Sequence, residues 1–129
     1  YQMMDKIDDA FCERIQQRAL SMTLKLTGES LRVLFYDATT LYFESFSEDD
    51  LKCNGYSKDL KFNQPQVLLA LFVTEKGLPV GYDVFPGNTF EGHTLIPMLD
   101  KLKARYQLEK VVFVADRGLL SEENLKALE

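Results

Sequence analysis

Val111-Val112-Phe113-Val114-Ala115-Asp116-Arg117-Gly118 is the stretch from which the fold is read. Five apolar residues, three of them Val, predict a short buried strand. The run ends on a carboxylate, followed at once by Arg and Gly. An acid in that place lies where a sheet meets solvent, so it can hold a metal ion or transfer a proton. A second stretch, Leu31 to Asp37, ends the same way and is followed by Ala38-Thr39-Thr40. If the two strands are neighbours, Asp37 and Asp116 converge. Mg²⁺ is usually bound by one or two carboxylates plus substrate phosphate, and two such ions about 4 Å apart clamp the attacking and leaving oxygens of a phosphoryl transfer. The same residues have a plainer use, because Asp ends a strand and opens a turn well.

Working outward, Ser121 can cap a helix whose first turn carries Glu122 and Glu123, acids that favour the positive end of its dipole. Upstream, Leu95, Met98, Leu99, Leu102 and Tyr106 form one helical face. Pro97 lacks an N–H and fits only the first turn, so this helix must begin near Thr94. Residues 67–74 and 78–85 are strands joined by Glu75-Lys76-Gly77, which predicts an antiparallel hairpin. Residues 47–65 are mixed and polar and read as a loop or insertion. Residues 31–38 form the first strand, with Val33 and Phe35 alternating with Leu34 and Tyr36, so both faces are expected to be covered. Residues 39–46 either extend it or pair back on it. At the start, Met4, Ile7, Phe11, Ile15, Ala19, Met22 and Leu26 step by three or four residues. They predict an amphipathic helix over residues 3–26, packed through that stripe and capped by Gly28. The order is helix, strand, long loop, hairpin, helix, strand, helix, which implies a mixed sheet with helices on it. Residues 1–28 are taken as an N-terminal helical segment and 29–129 as the main domain.

The chain of 129 residues holds 46% hydrophobic and 27% charged residues, enough for one core. Its net charge of −5 argues against strong nucleic-acid binding by this piece alone, because phosphate neutralisation needs clustered Lys and Arg. It argues equally against a membrane surface. Cys12 and Cys53 lie in no metal-binding spacing and read as reduced, structural thiols of a cytoplasmic protein. No apolar run approaches the roughly 20 residues of a spanning helix. The chain begins with Tyr1 and stops at Leu128-Glu129 inside a helical pattern, which reads as a piece of a longer protein.

Six short motifs follow one another in order: Tyr36-Asp37-Ala38-Thr39-Thr40, Gly55-Tyr56-Ser57-Lys58-Asp59, Pro65-Gln66-Val67, Gly77-Leu78-Pro79-Val80-Gly81, Pro86-Gly87-Asn88-Thr89 with Glu91, and Val114-Ala115-Asp116-Arg117-Gly118. Together, over roughly residues 31–125, they resemble the catalytic domain of bacterial insertion-sequence transposases of the DDE class, in the family whose first acid sits in an Asp-x-Thr-Thr strand. The resemblance implies a ribonuclease H-like α/β fold: three antiparallel strands, a parallel fourth beside the first, and flanking helices, here truncated before the last strand and helix. It implies catalysis of phosphodiester cleavage and strand transfer with two Mg²⁺ or Mn²⁺ ions. Asp37 would be the first acid and metal ligand and Asp116 the second. The partners implied for the full-length protein are transposon-end and target DNA, with a homodimer to pair two ends, in the bacterial cytoplasm at the nucleoid.

The family's third acid, a Glu on a later helix, has no counterpart here. Glu122, Glu123 and Glu129 follow the second Asp too soon and read as solvated helix charges. The piece is therefore expected to be inactive by itself. Thr39, Lys58, Asn88 and Arg117 are the residues expected near DNA; each also has a structural use, Arg117 as an ion-pair partner of Asp37, Thr39 as a strand former, Asn88 in a turn and Lys58 as a solvated charge. Thr40, Lys61, Thr89 and Glu91 are weaker candidates of the same kind, and His93 reads as a helix-start residue. A non-catalytic transposase-derived remnant or binding module is the alternative. A phospho-acceptor signalling domain is a third, opposed by the hairpin because such domains use an all-parallel sheet.

Overall fold

The computed structural model describes residues 4–106, 108 and 111–128. Val33–Tyr42 (β1) is a single strand, so residues 39–42 extend it rather than pair back. Gln66–Thr74 (β2) and Pro79–Pro86 (β3) form the expected hairpin, and Gly77 turns it at φ 80°, a conformation open to glycine. Val112–Ala115 (β4) completes a sheet of order β3-β2-β1-β4. β2 is antiparallel to both β1 and β3, while β4 runs parallel to β1, with Tyr36 opposite Ala115. This is the strand arrangement that the ribonuclease H-like expectation requires.

Asp9–Thr27 (α1), Leu95–Tyr106 (α2) and Glu122–Leu128 (α3) are the helices. Asp8 caps α1 by accepting from the Phe11 N–H at 2.7 Å, and Gly28 ends it at φ 68°. The helix thus starts later than the periodicity predicts; residue 3 lies outside the described residues. α2 follows a 3-10 turn at Glu91–His93, and Pro97 occupies its first turn as expected. Ser121 caps α3 through the Asn124 N–H. Glu122 is exposed and pairs with Lys126, whereas Glu129 lies outside the described residues.

The core sits on one face of the sheet. Leu34, Tyr36, Ala70, Phe72 and Val80 meet Leu95, Met98 and Leu102 of α2 and Leu20 of α1. Each such leucine or methionine, fully buried, contributes roughly 1.5–3 kcal/mol. The opposite face is open. Phe35 is exposed, so the expectation of two covered faces for β1 is corrected. β4 is corrected likewise: among the described residues it has a strand on one side alone, with Val112 61% and Val114 41% exposed. The stripe read on α1 is also reversed. Met4, Ile7, Phe11, Ile15, Met22 and Leu26 are exposed, and the helix packs instead through Leu20 and Leu24. Arg105 reaches α1 at Gln16 Oε1 (2.7 Å) and Glu13 Oε1 (3.0 Å), anchoring that inner face.

Tyr36 gives the core a pH response. Its hydroxyl donates to Thr94 Oγ1 at 2.6 Å, and Thr94 in turn donates to the Glu91 carbonyl at 2.6 Å. Burial, reinforced by Asp83, Asp37 and Glu91, pushes the phenol from 10.0 up to about 12. The unfolded chain therefore releases this proton at lower pH than the folded one. The stability it represents is complete below pH 10.0 and is lost as pH rises toward about 12. Denaturant unfolding across that window should show wild type losing about 2 kcal/mol more than Tyr36→Phe. Equal losses would contradict this assignment.

Candidate functional site

Asp37 follows Tyr36 on β1 and Asp116 follows Ala115 on β4, and Tyr36 and Ala115 are register partners. Asp116 lies just past the end of β4, whereas Asp37 is the fifth of the ten residues of β1 and pairs with Leu71 of β2, so the expectation that Asp37 ends its strand is corrected; both acids follow directly on the last register pair of the parallel strands. Neighbouring strands lie about 4.8 Å apart, and both residues line one open cleft of about 520 Å³ with Phe35, Leu71, Val73 and Val114. The floor is the uncovered apolar face of the sheet. Both aspartates are exposed. Asp116 Oδ1 accepts the Arg117 N–H at 2.6 Å and caps the 3-10 turn Arg117–Leu119, so the turn use and the site use coexist in one side chain.

Two exposed carboxylates with apolar walls fit a hard cation that takes its remaining oxygens from water and a phosphate. Among the described residues no group of three or more His, Cys, Asp and Glu could hold a metal ion. The donors present therefore account for part of a coordination shell.

The other candidates fall in two groups. Thr39 lies two residues beyond Asp37 on the open face of β1, and Arg117 is exposed beside Asp116. Among the described residues Arg117 makes no ion pair, so its pairing with Asp37 is not observed. Lys58 lies across the long loop. Its Nζ is 2.8 Å from Glu91 Oε1 and 2.9 Å from Oε2. The Glu91 hydrogen bond, then Asp116 and Asp37, hold its ammonium above the ordinary lysine range, so it senses the field of both acids. Asn88 is exposed in the turn that Thr89 closes onto the Pro86 carbonyl at 2.9 Å. His93 sits at the end of the 3-10 turn before α2, edge-on to Phe90.

The loop of residues 47–65 is more ordered than its composition predicts. Cys53 and Gln66 exchange backbone hydrogen bonds of 3.2 and 2.9 Å, and the Gly87 N–H donates to the Leu51 carbonyl at 3.1 Å. Gln66 Nε2 donates to the carbonyls of Tyr56 (3.0 Å) and Gly87 (2.8 Å). Gln66 carries no role in the sequence reading. Its visible signals are its place in the Pro65-Gln66-Val67 motif and its polarity at the head of an otherwise apolar strand.

The family model described as "Transposase DDE domain" matches residues 28–129. No curated protein matches the chain. Among solved structures, the "Mos1 transposase paired-end complex with left transposon end" is similar at 16% identity and TM-score 0.48, with 96% of this chain and 42% of that one covered. The "Crystal structure of a pre-cleavage Mos1 transpososome" is similar at 15% identity and TM-score 0.49, over 95% and 41%. The "Crystal structure of the mariner Mos1 paired end complex with Mg" is similar at 15% identity and TM-score 0.43, over 96% and 42%. The chain thus spans about two-fifths of the solved chains it matches. The family match covers most of the chain, and the chain belongs to the transposase DDE domain family.

Proposed function

We propose that this chain carries two acids of a metal-dependent DNA cleavage and strand-transfer site, Asp37 and Asp116, in a transposase that acts on transposon-end and target DNA in the bacterial cytoplasm, at the nucleoid. The observation that carries the reading is the placement of both acids directly after Tyr36 and Ala115, the last register pair of two adjacent parallel strands, lining one cleft. Asp37 and Asp116 would hold Mg²⁺ or Mn²⁺, two ions in the complete site, and these ions would lower the barrier by stabilising charge on the phosphate oxygens. The aspartates supply negative charge and oxygen donors, and the apolar face beneath them keeps other donors away. Because no third ligand joins them among the described residues, we propose that the chain alone neither cuts nor joins DNA. Pairing two transposon ends would call for two copies of the protein.

Mn²⁺ titrated into the isotope-labelled chain is expected to broaden the amides around Asp37 and Asp116 first. Broadening that begins in the acidic stretch 44–50 and leaves the amides around both aspartates sharp would sink the metal assignment.

A further inference from the structure

Behind the aspartates, around the end of the sheet, lies a second cavity of about 340 Å³ between the long loop and the segment leading to α2. Tyr56, Lys58, Gln66, Leu68, Phe90 and Glu91 line it. Gln66 is 3% exposed, and its Oε1 is buried without a hydrogen-bond partner. Its orientation is fixed, because turning the amide over would set that oxygen against the two carbonyls Nε2 now serves. A buried acceptor left unpaired is costly and needs an explanation. Two aromatic rings at the same cavity are largely in solvent, Tyr56 at 78% and Phe90 at 64% exposure. The one cation there, Lys58, is already neutralised by Glu91.

We propose that this cavity receives one unstacked nucleobase of a DNA strand, with Tyr56 and Phe90 as its stacking faces and Gln66 Oε1 accepting an N–H from its edge. The inference rests on the DNA reading given above. Each feature selects a base over a phosphate. An acceptor demands a donor, which every base has and phosphate lacks. Aromatic faces attract any base because each has a π surface. The Lys58–Glu91 pair leaves no net positive charge for a free anion. The cavity is also preformed, since Gln66, Cys53 and Gly87 fasten its floor. Thr40, three residues on from Asp37 along β1, lines the cavity as well.

The test uses this chain and a single-stranded oligonucleotide with one 2-aminopurine, a fluorescent base whose amino group can donate to Gln66. Binding should quench its fluorescence. Tyr56→Ala and Phe90→Ala should each weaken binding roughly tenfold, as should an abasic site in place of the base; both residues are exposed, so folding is not at stake. Asp37→Asn should leave the quench unchanged, and Tyr56→Ala should leave the Mn²⁺ broadening at Asp37 and Asp116 unchanged. No quench with wild-type protein, or equal affinity for intact and abasic strands, overturns the base pocket and leaves the metal reading standing. Binding that falls with Lys58→Gln but ignores the abasic site also overturns it, in favour of a phosphate contact. Quenching without Mn²⁺ broadening at the aspartates removes the metal reading and keeps the pocket.

Discussion

Asp37→Asn in the full-length parent is expected to lower DNA strand cleavage on the order of 10³-fold while leaving DNA binding in place. Asn keeps the size and one oxygen of Asp, so β1 and its register persist. It removes the negative charge and one oxygen donor, the two properties a Mg²⁺ ligand needs. Asp116→Asn should do the same, and it is the cleaner variant structurally, because an amide oxygen can still accept the Arg117 N–H that Asp116 Oδ1 accepts now. The check is cleavage of a labelled transposon-end duplex beside a binding titration. Either variant cleaving within about tenfold of wild type would remove that residue from the site.

Gly87→Ala is expected to destabilise the protein by about 3 kcal/mol or more. The cost is steric rather than conformational. Gly87 is not among the positive-φ residues, but a Cβ there would lie 2.1 Å from the Gln66 carbonyl oxygen and 2.4 Å from that of Cys53. Both are backbone atoms of the Cys53–Gln66 bridge, so neither can swing aside as a side chain would. Gly55→Ala meets the same crowding from the other side, at 2.0 Å from the Gly87 oxygen and 2.5 Å from Gln66 Nε2. Urea unfolding of the single variants measures the effect, and a change below about 1 kcal/mol in both would mean that the loop is not seated as described. Gly77→Ala serves as the comparison, since nothing lies near its Cβ and its strain is confined to a positive φ.

What the sequence made legible follows from local chemistry. The hairpin was visible because a short turn with Gly77 separates two apolar runs. α2 was visible because Leu95, Met98, Leu99 and Leu102 keep one helical face, and all four are buried. Asp37 and Asp116 stood out as acids closing apolar runs, and their adjacency followed from the strand order that the family resemblance implied. What stayed hidden depends on neighbours distant in the chain. Val112 and Val114 look like core residues until the sheet order puts β4 at its edge. On α1, Phe11, Ile15, Met22 and Leu26 make the longer apolar stripe, yet Leu20 and Leu24 face the sheet. Periodicity reports that a helix has an apolar side but cannot choose between two. Gln66 and the seating of residues 47–65 were hidden for the same reason: their partners are the backbone of Tyr56 and Gly87, which no side-chain pattern records.

β4 has a consequence for how the site comes and goes. Among the described residues it has one strand neighbour, β1, whereas β1 and β2 are each flanked on both sides. β4 pairs with β1 across the hairpin and α2, which lie between the two strands along the chain. The acidic pair joins two stretches far apart in the chain, one within β1 and one directly after β4. A ligand that grips both acids would act as a latch on the fourth strand, so binding at the site and closing the edge of the sheet are one equilibrium.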